Sequence, residues 1–419
     1  MSGASFDARR AGTNLLRLGA AEFTGKLLSI LAFTWLGRTL GPQGYGRLEF
    51  AFSLLVFFSL PVDFGLGVYG ARGIAKDRSR AAALAADISV VRLCLAAVSF
   101  AVLLVVAALA GGDAETRVLV TALGASLFAA PVLLQWLFQG LERMQWVAWV
   151  SALRQAIFAA AAIVLVRSRE ELMWAGVVEC LAALGAAIFC LVLARNDMGA
   201  GLRLFRFDAR RLWRHVRSAA PIGFSEFAWA LLWYAPLVVL GAATADRTVG
   251  WFGAAHRCLT SLHSFVYLYF FNLLPSMSRC AAAPVEFGRL LQQSLAFAAI
   301  GGVGAAALGI LFASPLMTML YGRDYAGGDR LFSVLVLVIP VTLVSGHFRF
   351  GLVACGRERQ LLSATLIAAI ASCALSFLLV PVWGAMGAAV ALLGANIVNL
   401  VVPYSQFRRG MASPEAAPA

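Results

Sequence analysis

The sequence predicts an all-α polytopic membrane protein, and three observations predict it. Of the 419 residues, 61% are apolar and only 13% are charged, whereas a soluble chain is roughly 45–50% apolar and about 25% charged. The mean hydropathy is +0.83. Apolar runs of about 20 residues or more follow one another along nearly the whole chain, which is the length a helix needs to cross roughly 30 Å of hydrocarbon. A membrane barrel would instead show segments of about 10 residues alternating apolar and polar. Residues 93–110 and 295–312 do not alternate.

Twelve spans are predicted, at 13–37, 45–70, 84–110, 117–139, 147–167, 171–194, 217–243, 248–274, 288–312, 329–352, 359–381 and 385–406. Arg9 and Arg10 precede the first run. That run is too long for a signal-peptide core and leads straight into further spans, so it is expected to be retained. With the N-terminus inside, the cytoplasmic segments hold twenty Arg and Lys and the external ones eight. This asymmetry predicts both termini in the cytoplasm, and it accounts for the net charge of +13 without nucleic acid.

The longest hydrophilic stretch, 195–217, divides the chain into an N-terminal six-helix bundle (1–200), a basic cytoplasmic linker (201–216) and a C-terminal six-helix bundle (217–419). Leu202, Leu204, Phe205, Phe207 and Leu212 alternate with Arg there, a pattern expected to lie on an anionic inner leaflet. Shifting the chain by 204 residues aligns 19–55 with 223–259 at ten of thirty-seven positions, including Gly19/Gly223, Glu22/Glu226, Gly37/Gly241 and Gly46/Gly250. Six spans per repeat is an even number, so the two bundles run parallel around a central cavity. Such repeats are common in secondary transporters.

Several motifs resemble those of a known family. Residues 136–144 (WLFQGLERM) resemble the segment after the fourth span of bacterial polysaccharide flippases. Residues 36–46 (LGRTLGPQGYG) look like that family's first external turn, and 63–67 (DFGLG) with 72–76 (RGIAK) look like its second-span exit. Residues 319–325 (MLYGRDY), 354–359 (ACGRER) and 381–389 (PVWGAMGAA) resemble its C-terminal segments. The chain is thereby identified with the O-antigen (Wzx-type) flippases of the multidrug/oligosaccharidyl-lipid/polysaccharide exporter superfamily. The resemblance implies residence in a bacterial inner membrane and a polyprenyl-diphosphate-linked oligosaccharide as cargo. It also implies glycan-assembly proteins such as a polymerase as partners.

Ionisable groups inside spans are expensive, at roughly 2.5–3.5 kcal/mol each at the bilayer centre on insertion scales, so they point to a wet path, a pairing or an interface. Glu22 and Lys26 lie one turn apart, either as a self-neutralised pair or as path lining. The eighth span carries His256, Arg257, Thr260, Ser261, His263, Ser264 and Tyr267 on one stripe. That stripe lines a cavity or packs against polar helix faces. Arg257 is the foremost candidate for the diphosphate, because a guanidinium offers forked donors to phosphate oxygens, and Lys26, Arg92 and Arg154 extend the cationic lining. Trp229 and Trp233 are candidates for stacking on sugar rings, with packing or an interfacial place as the alternative. Glu226, Glu22, Asp63 and Glu179 are the candidates to bind a coupling H⁺ or Na⁺.

Two rivals stay open. An H⁺- or Na⁺-coupled antiporter of drugs or organic cations would favour surplus carboxylate, whereas the spans hold six basic and six acidic residues. A membrane polysaccharide polymerase or ligase would place its chemistry in a large external loop, and the longest predicted external segment here is 313–330. A peptidoglycan-precursor flippase would add two helices, which the twelve predicted spans do not include. No HExxH, GxSxG or P-loop pattern occurs, and the seven Cys form no CxxC pair, so no enzyme, metal or cofactor is expected.

Overall fold

The computed structural model describes residues 8–109, 113–198, 208–281 and 283–412, with the side chains of 8–23, 209, 284 and 410–412 outside the description. The predicted linker residues 201–207 and the side chain of Glu22 therefore lie outside it. The described residues are helical, with 3₁₀ turns as connectors.

Helix α1 runs Ala8–Asp63 and is broken once, at Gly41. There φ is 68° and ψ 174°, backbone that an L side chain adopts only under strain. Pro42 follows, so the single element is two rods joined at a Gly-Pro corner. Helix α2 (Leu66–Lys76) ends at Asp77, whose side chain accepts from the Ser79 amide and caps a 3₁₀ turn. Next come α3 (Ala81–Leu109) and α4 (Ala114–Gly124), the latter capped by Asp113 accepting from the Thr116 amide. A 3₁₀ stretch, Ala125–Val132, carries Pro131 and leads to the short α5 (Gln135–Gly140). The fourth predicted span is thus a helix with a 3₁₀ middle, since Pro131 removes a donor from the α-helical ladder.

Helices α6 (Met144–Leu165) and α7 (Trp174–Met198) are followed by α8 (Ala209–Ala243) and α9 (Asp246–Cys280). Helix α8 begins at Ala209, so the last turns of the predicted linker are helical and continuous with the seventh span. Then come α10 (Pro284–Leu311), α11 (Ala313–Tyr321), α12 (Gly328–Leu335), α13 (Val338–Ala354) and α14 (Glu358–Ala412). Helix α14 repeats the device of α1, with one break at Gly384 (φ 55°).

Among the described residues, nine helical stretches are long and apolar enough to cross a membrane. Two of them, Thr24–Lys76 and Glu358–Arg409, span 53 and 52 residues, more than twice the roughly 20 that one crossing takes. Helix α9 is not among the nine, because its polar stripe lowers its hydropathy. Large apolar side chains point outward in the crossing helices: Phe297 is 72% exposed, Ile300 76% and Phe377 69%. Such surface is stable against lipid and not against water. The chain is a multi-pass membrane protein.

The fold divides into two compact units. Unit 1 comprises Met1–Leu40 and Leu54–Phe227, and unit 2 comprises Gly41–Ser53 and Ala228–Ala419. The core of unit 1 gathers Leu66, Ile74, Leu84, Ile88, Trp136, Leu137, Phe138 and Cys190. That of unit 2 includes Met277, Phe287, Phe348, Leu352 and Phe407. The motif at 136–144 explains itself in unit 1. Trp136, Leu137 and Phe138 are buried, while a Cβ on Gly140 would lie 2.9 Å from the Ala71 carbonyl. Its polar end turns outward, where Glu142 pairs with Arg78 at 2.6 Å and Arg143 pairs with Asp197.

Candidate functional site

Unit 1 holds three polar clusters inside its apolar helices. In the first, Arg92 of α3 donates to Asp63, at the end of α1, and to the carbonyls of Leu133 at 3.2 Å and Ala130 at 3.4 Å. The Leu133 carbonyl lies just past the end of the 3₁₀ stretch, and that of Ala130 also accepts from the Leu133 amide at 3.2 Å, so the end of this stretch is read by the guanidinium. Its charge lies 5.9 Å from the centre of the Trp136 ring. Gly67 makes room for the pair: a Cβ there would sit 3.1 Å from Nη2 of Arg92 and 3.3 Å from Oδ1 of Asp63. Glu226 of α8 is half-buried and within electrostatic range of both Asp63 and Arg92. Two of the four predicted coupling carboxylates therefore share one neighbourhood with a predicted cargo-binding arginine.

In the second cluster Arg154 of α6 pairs with Glu179 of α7, which is buried. A predicted cargo ligand and a predicted coupling carboxylate thus neutralise one another.

The third cluster was not read from the sequence. Asp87 of α3, 3% exposed at its side chain, takes Nε of Arg211 at 2.7 Å and Nε2 of His215 at 3.1 Å on the same oxygen. The other ring nitrogen of His215 meets the Tyr69 hydroxyl at 3.1 Å. Neutral His215 satisfies both neighbours if Nε2–H donates to Asp87 and Nδ1 accepts from Tyr69. The available signal was Arg211 and His215 at i, i+4, one helix face in a stretch read as linker. Trp213, Arg214 and Arg217 on the other face are exposed.

In unit 2 the site centres on Arg257. Its Nε donates to Oε1 of Glu49 at 2.6 Å and its Nη2 to Oε2 at 2.9 Å, and it stands over the Phe52 ring, 6.0 Å from the centre. Arg47 makes a second ion pair with Asp246 at 2.8 Å. Tyr45, fully buried, packs against Tyr321 and Tyr325 with ring centres 5.7 and 6.1 Å away.

The rest of the α9 stripe is dispersed. His256 is buried, stacked on Phe252 and edge-on to Tyr234. His263 sits 4.4 Å from the ring of Trp233, which is buried, and Trp229 lies 6.0 Å further along and 40% exposed. Tyr267 points outward, 65% exposed. Lys26 of α1 is exposed. Among the described residues, no three His, Cys, Asp or Glu group as a metal site, and all seven Cys are free.

The guanidiniums of Arg92 and Arg154 sit in apolar, crossing-length helices and that of Arg257 on the polar stripe of α9, and each is held by a carboxylate. Such pairs stay charged in low dielectric because the partners and carbonyls replace water.

Comparison with known proteins extends this. The sequence model of a family described as "Polysaccharide biosynthesis protein" matches residues 11–281. Two proteins described as "Putative O-antigen transporter", from Escherichia coli (strain K12) and Shigella dysenteriae, are each 23% identical to this chain, over 395 and 393 residues. The alignments cover 91% and 92% of this chain and 93% and 97% of theirs. Among solved structures, an inward-facing multidrug resistance MATE family transporter of the MOP superfamily aligns with a TM-score of 0.76 at 14% identity, covering 94% of this chain and 96% of that one. Lipid II flippase MurJ, in an inward closed conformation, aligns at 0.71 and 12%, covering 93% and 87%. These structural likenesses are of fold.

Proposed function

Because the chain belongs to the polysaccharide biosynthesis protein family, whose named relatives here are transporters and not enzymes, we propose that it is a lipid-linked oligosaccharide flippase. The cargo is a polyprenyl-diphosphate-linked repeat unit moved across the bacterial inner membrane. Twelve crossings form two parallel six-helix repeats with both ends in the cytoplasm, and alternating access moves the head group while the prenyl tail stays in lipid.

The observation that carries this reading is the pairing with carboxylates of Arg92 and Arg154, in apolar helices, and of Arg257, on the polar stripe of α9. A diphosphate cannot enter low dielectric without countercharge, and guanidinium is the side chain whose fork fits phosphate oxygens. Arg257, Arg92, Arg154 and Lys26 take the phosphates, while Trp229, 40% exposed, offers its face to the sugars with Trp233 and His263 packed behind it and His256 held in the aromatic pocket of Phe252 and Tyr234. Glu226, Asp63, Glu179 and Glu22 hold the coupling H⁺ or Na⁺. The relatives' described cargo, O-antigen, supports the glycan class.

The experiment is a deletion strain assayed for lipid-linked oligosaccharide on each leaflet. We expect the lipid-linked unit to accumulate on the cytoplasmic side, and surface glycan to return with the gene. Normal surface glycan together with retention of a cationic dye would establish a drug antiporter instead.

A further inference from the structure

The fork of Arg257 is occupied. Two parallel N–H donors on two oxygens of one carboxylate, at 2.6 and 2.9 Å, is the geometry in which a guanidinium takes a carboxylate or a phosphate alike. The side chain of Glu49 is 4% exposed and that of Arg257 24%, so the open side of the pair belongs to the arginine.

Glu49 is also carried on a distinctive piece of chain. The strip Gly41–Ser53 starts at the Gly41 break and opens the second rod of α1, and residues on either side of it belong to unit 1, yet the strip itself packs within unit 2. Its seat on α9 is close. A Cβ on Gly46 would fall 1.8 Å from the Asp246 carbonyl oxygen, and one on Gly250 would fall 1.9 Å from that of Pro42. A Cβ on Gly253 would strike the Glu49 side chain at 2.6 Å. The Arg47–Asp246 pair holds the same seat one turn from Gly250. Two ion pairs and a backbone-to-backbone approach thus fasten the strip, and the Glu49 pair is the one that an incoming anion can replace.

We propose that Glu49 is the resting counter-ion of Arg257, exchanged for phosphate oxygens of the cargo, and that this exchange frees the strip Gly41–Ser53 from α9. The inference rests on the phosphate-bearing cargo of the reading above and adds the residue that links cargo binding to movement. Arg257 is never left bare, because one pair of anionic oxygens leaves as another arrives. Glu49 leaves with its strip. An organic cation cannot make the exchange, since nothing in it replaces the carboxylate. The pair is therefore a specificity device as well as a fastening.

The test is hydrogen–deuterium exchange on the full chain in nanodiscs, comparing added undecaprenyl diphosphate with undecaprenol, which has the same tail and no phosphate, while lipid binding is read by native mass spectrometry. We expect the diphosphate to raise amide exchange across 41–53 at least about fivefold, the lower end of ordinary site-to-site couplings, and undecaprenol to leave it unchanged. Glu49→Gln should show the raised exchange without lipid and no further rise with it. The charge-swapped pair, Glu49→Arg with Arg257→Glu, should reseat the strip and make it indifferent to diphosphate.

Exchange that stays level or falls in wild-type protein carrying bound diphosphate overturns the exchange proposal and leaves the flippase reading standing. Wild-type protein that binds no diphosphate overturns both. The wild-type comparison needs no variant to fold.

Discussion

Replacing Gly250 by Ala tests the seat of the strip directly. An added Cβ would lie 1.9 Å from the Pro42 carbonyl oxygen and 2.8 Å from its carbon, and real Cβ contacts do not fall below 3.0 Å. Both neighbours are backbone, so the clash is relieved only if the strip shifts, by about 1 Å or more. Glu49 lies seven residues beyond Pro42 on the same rigid helix. The same shift lengthens its 2.6 and 2.9 Å bonds to Arg257 to about 3.6 Å or more, outside the range of an N–H···O bond. Overpacking alone costs about 1–3 kcal/mol, and hydrogen bonds to a charged group contribute about 1.5–3 kcal/mol. Because the two losses share one cause, we expect a net destabilisation of about 3 kcal/mol. The assay is unfolding in mixed detergent–SDS micelles followed by tryptophan fluorescence. Gly301→Ala is the control: its Cβ meets nothing within 4 Å, so the substitution should be neutral or gain about 0.5–1 kcal/mol of helix propensity. A Gly250→Ala protein that unfolds within about 0.5 kcal/mol of wild type, less than any overpacking estimate, would refute the close-approach argument.

Other outcomes follow from the clusters. His215→Ala strands the Tyr69 hydroxyl and removes one donor from Asp87, which should destabilise the chain by about 1–3 kcal/mol in the same unfolding assay, with His215→Gln recovering part of the loss. Arg154→Ala takes from buried Glu179 its guanidinium partner and should cost about 1.5–3 kcal/mol, while Arg154→Met with Glu179→Leu should fold at near wild-type stability and lose glycan export in the deletion strain. Asp77, in the exposed turn between crossings, is held below the usual carboxylate range first by the Ser79 hydroxyl, then by the Ser79 amide, with Arg80 assisting. A depressed folded value means that the turn's stabilisation is complete above the unfolded value of about 3.9 and disappears as pH falls through the folded one. Exchange at the Ser79 amide, corrected for its intrinsic rate, should therefore stay flat from pH 7 to about 5 and rise only below about pH 4. In Asp77→Asn that acid step should be absent.

Crossing-length helices were legible because a bilayer demands them of the sequence. The expected 84–110 and the observed α3, Ala81–Leu109, agree to within a turn. The break at Gly41 falls in the gap between the expected first two spans, 13–37 and 45–70, although the chain on both sides of it is helical. Hydropathy did not reveal which carboxylate each arginine takes. Arg92 meets Asp63 across 29 residues, Arg154 meets Glu179 across 25, and Arg257 meets Glu49 across 208. Those distances in sequence are set by how helices pack, and no local spacing encodes them. The α9 stripe shows the same limit. Its i, i+3, i+4, i+7 pattern is real, yet His256 turns to an aromatic pocket, Arg257 to Glu49 and Tyr267 outward. His215 was missed because composition marked its stretch as linker, and a buried histidine looks no different from a solvated one in a sequence.

The weak hydropathy of α9 has a consequence for how the protein is made. A helix bearing that stripe partitions poorly on its own when it leaves the translocon. Only two residues separate it from α8, which is apolar enough to cross by itself, so we expect the pair to enter as a hairpin in which α8 carries its neighbour. Glu49 has by then been in the membrane for some two hundred residues of synthesis. On the twelve-span reading proposed above, Arg257 would find its countercharge already synthesised, and insertion of α9 would depend on a helix laid down near the start of translation.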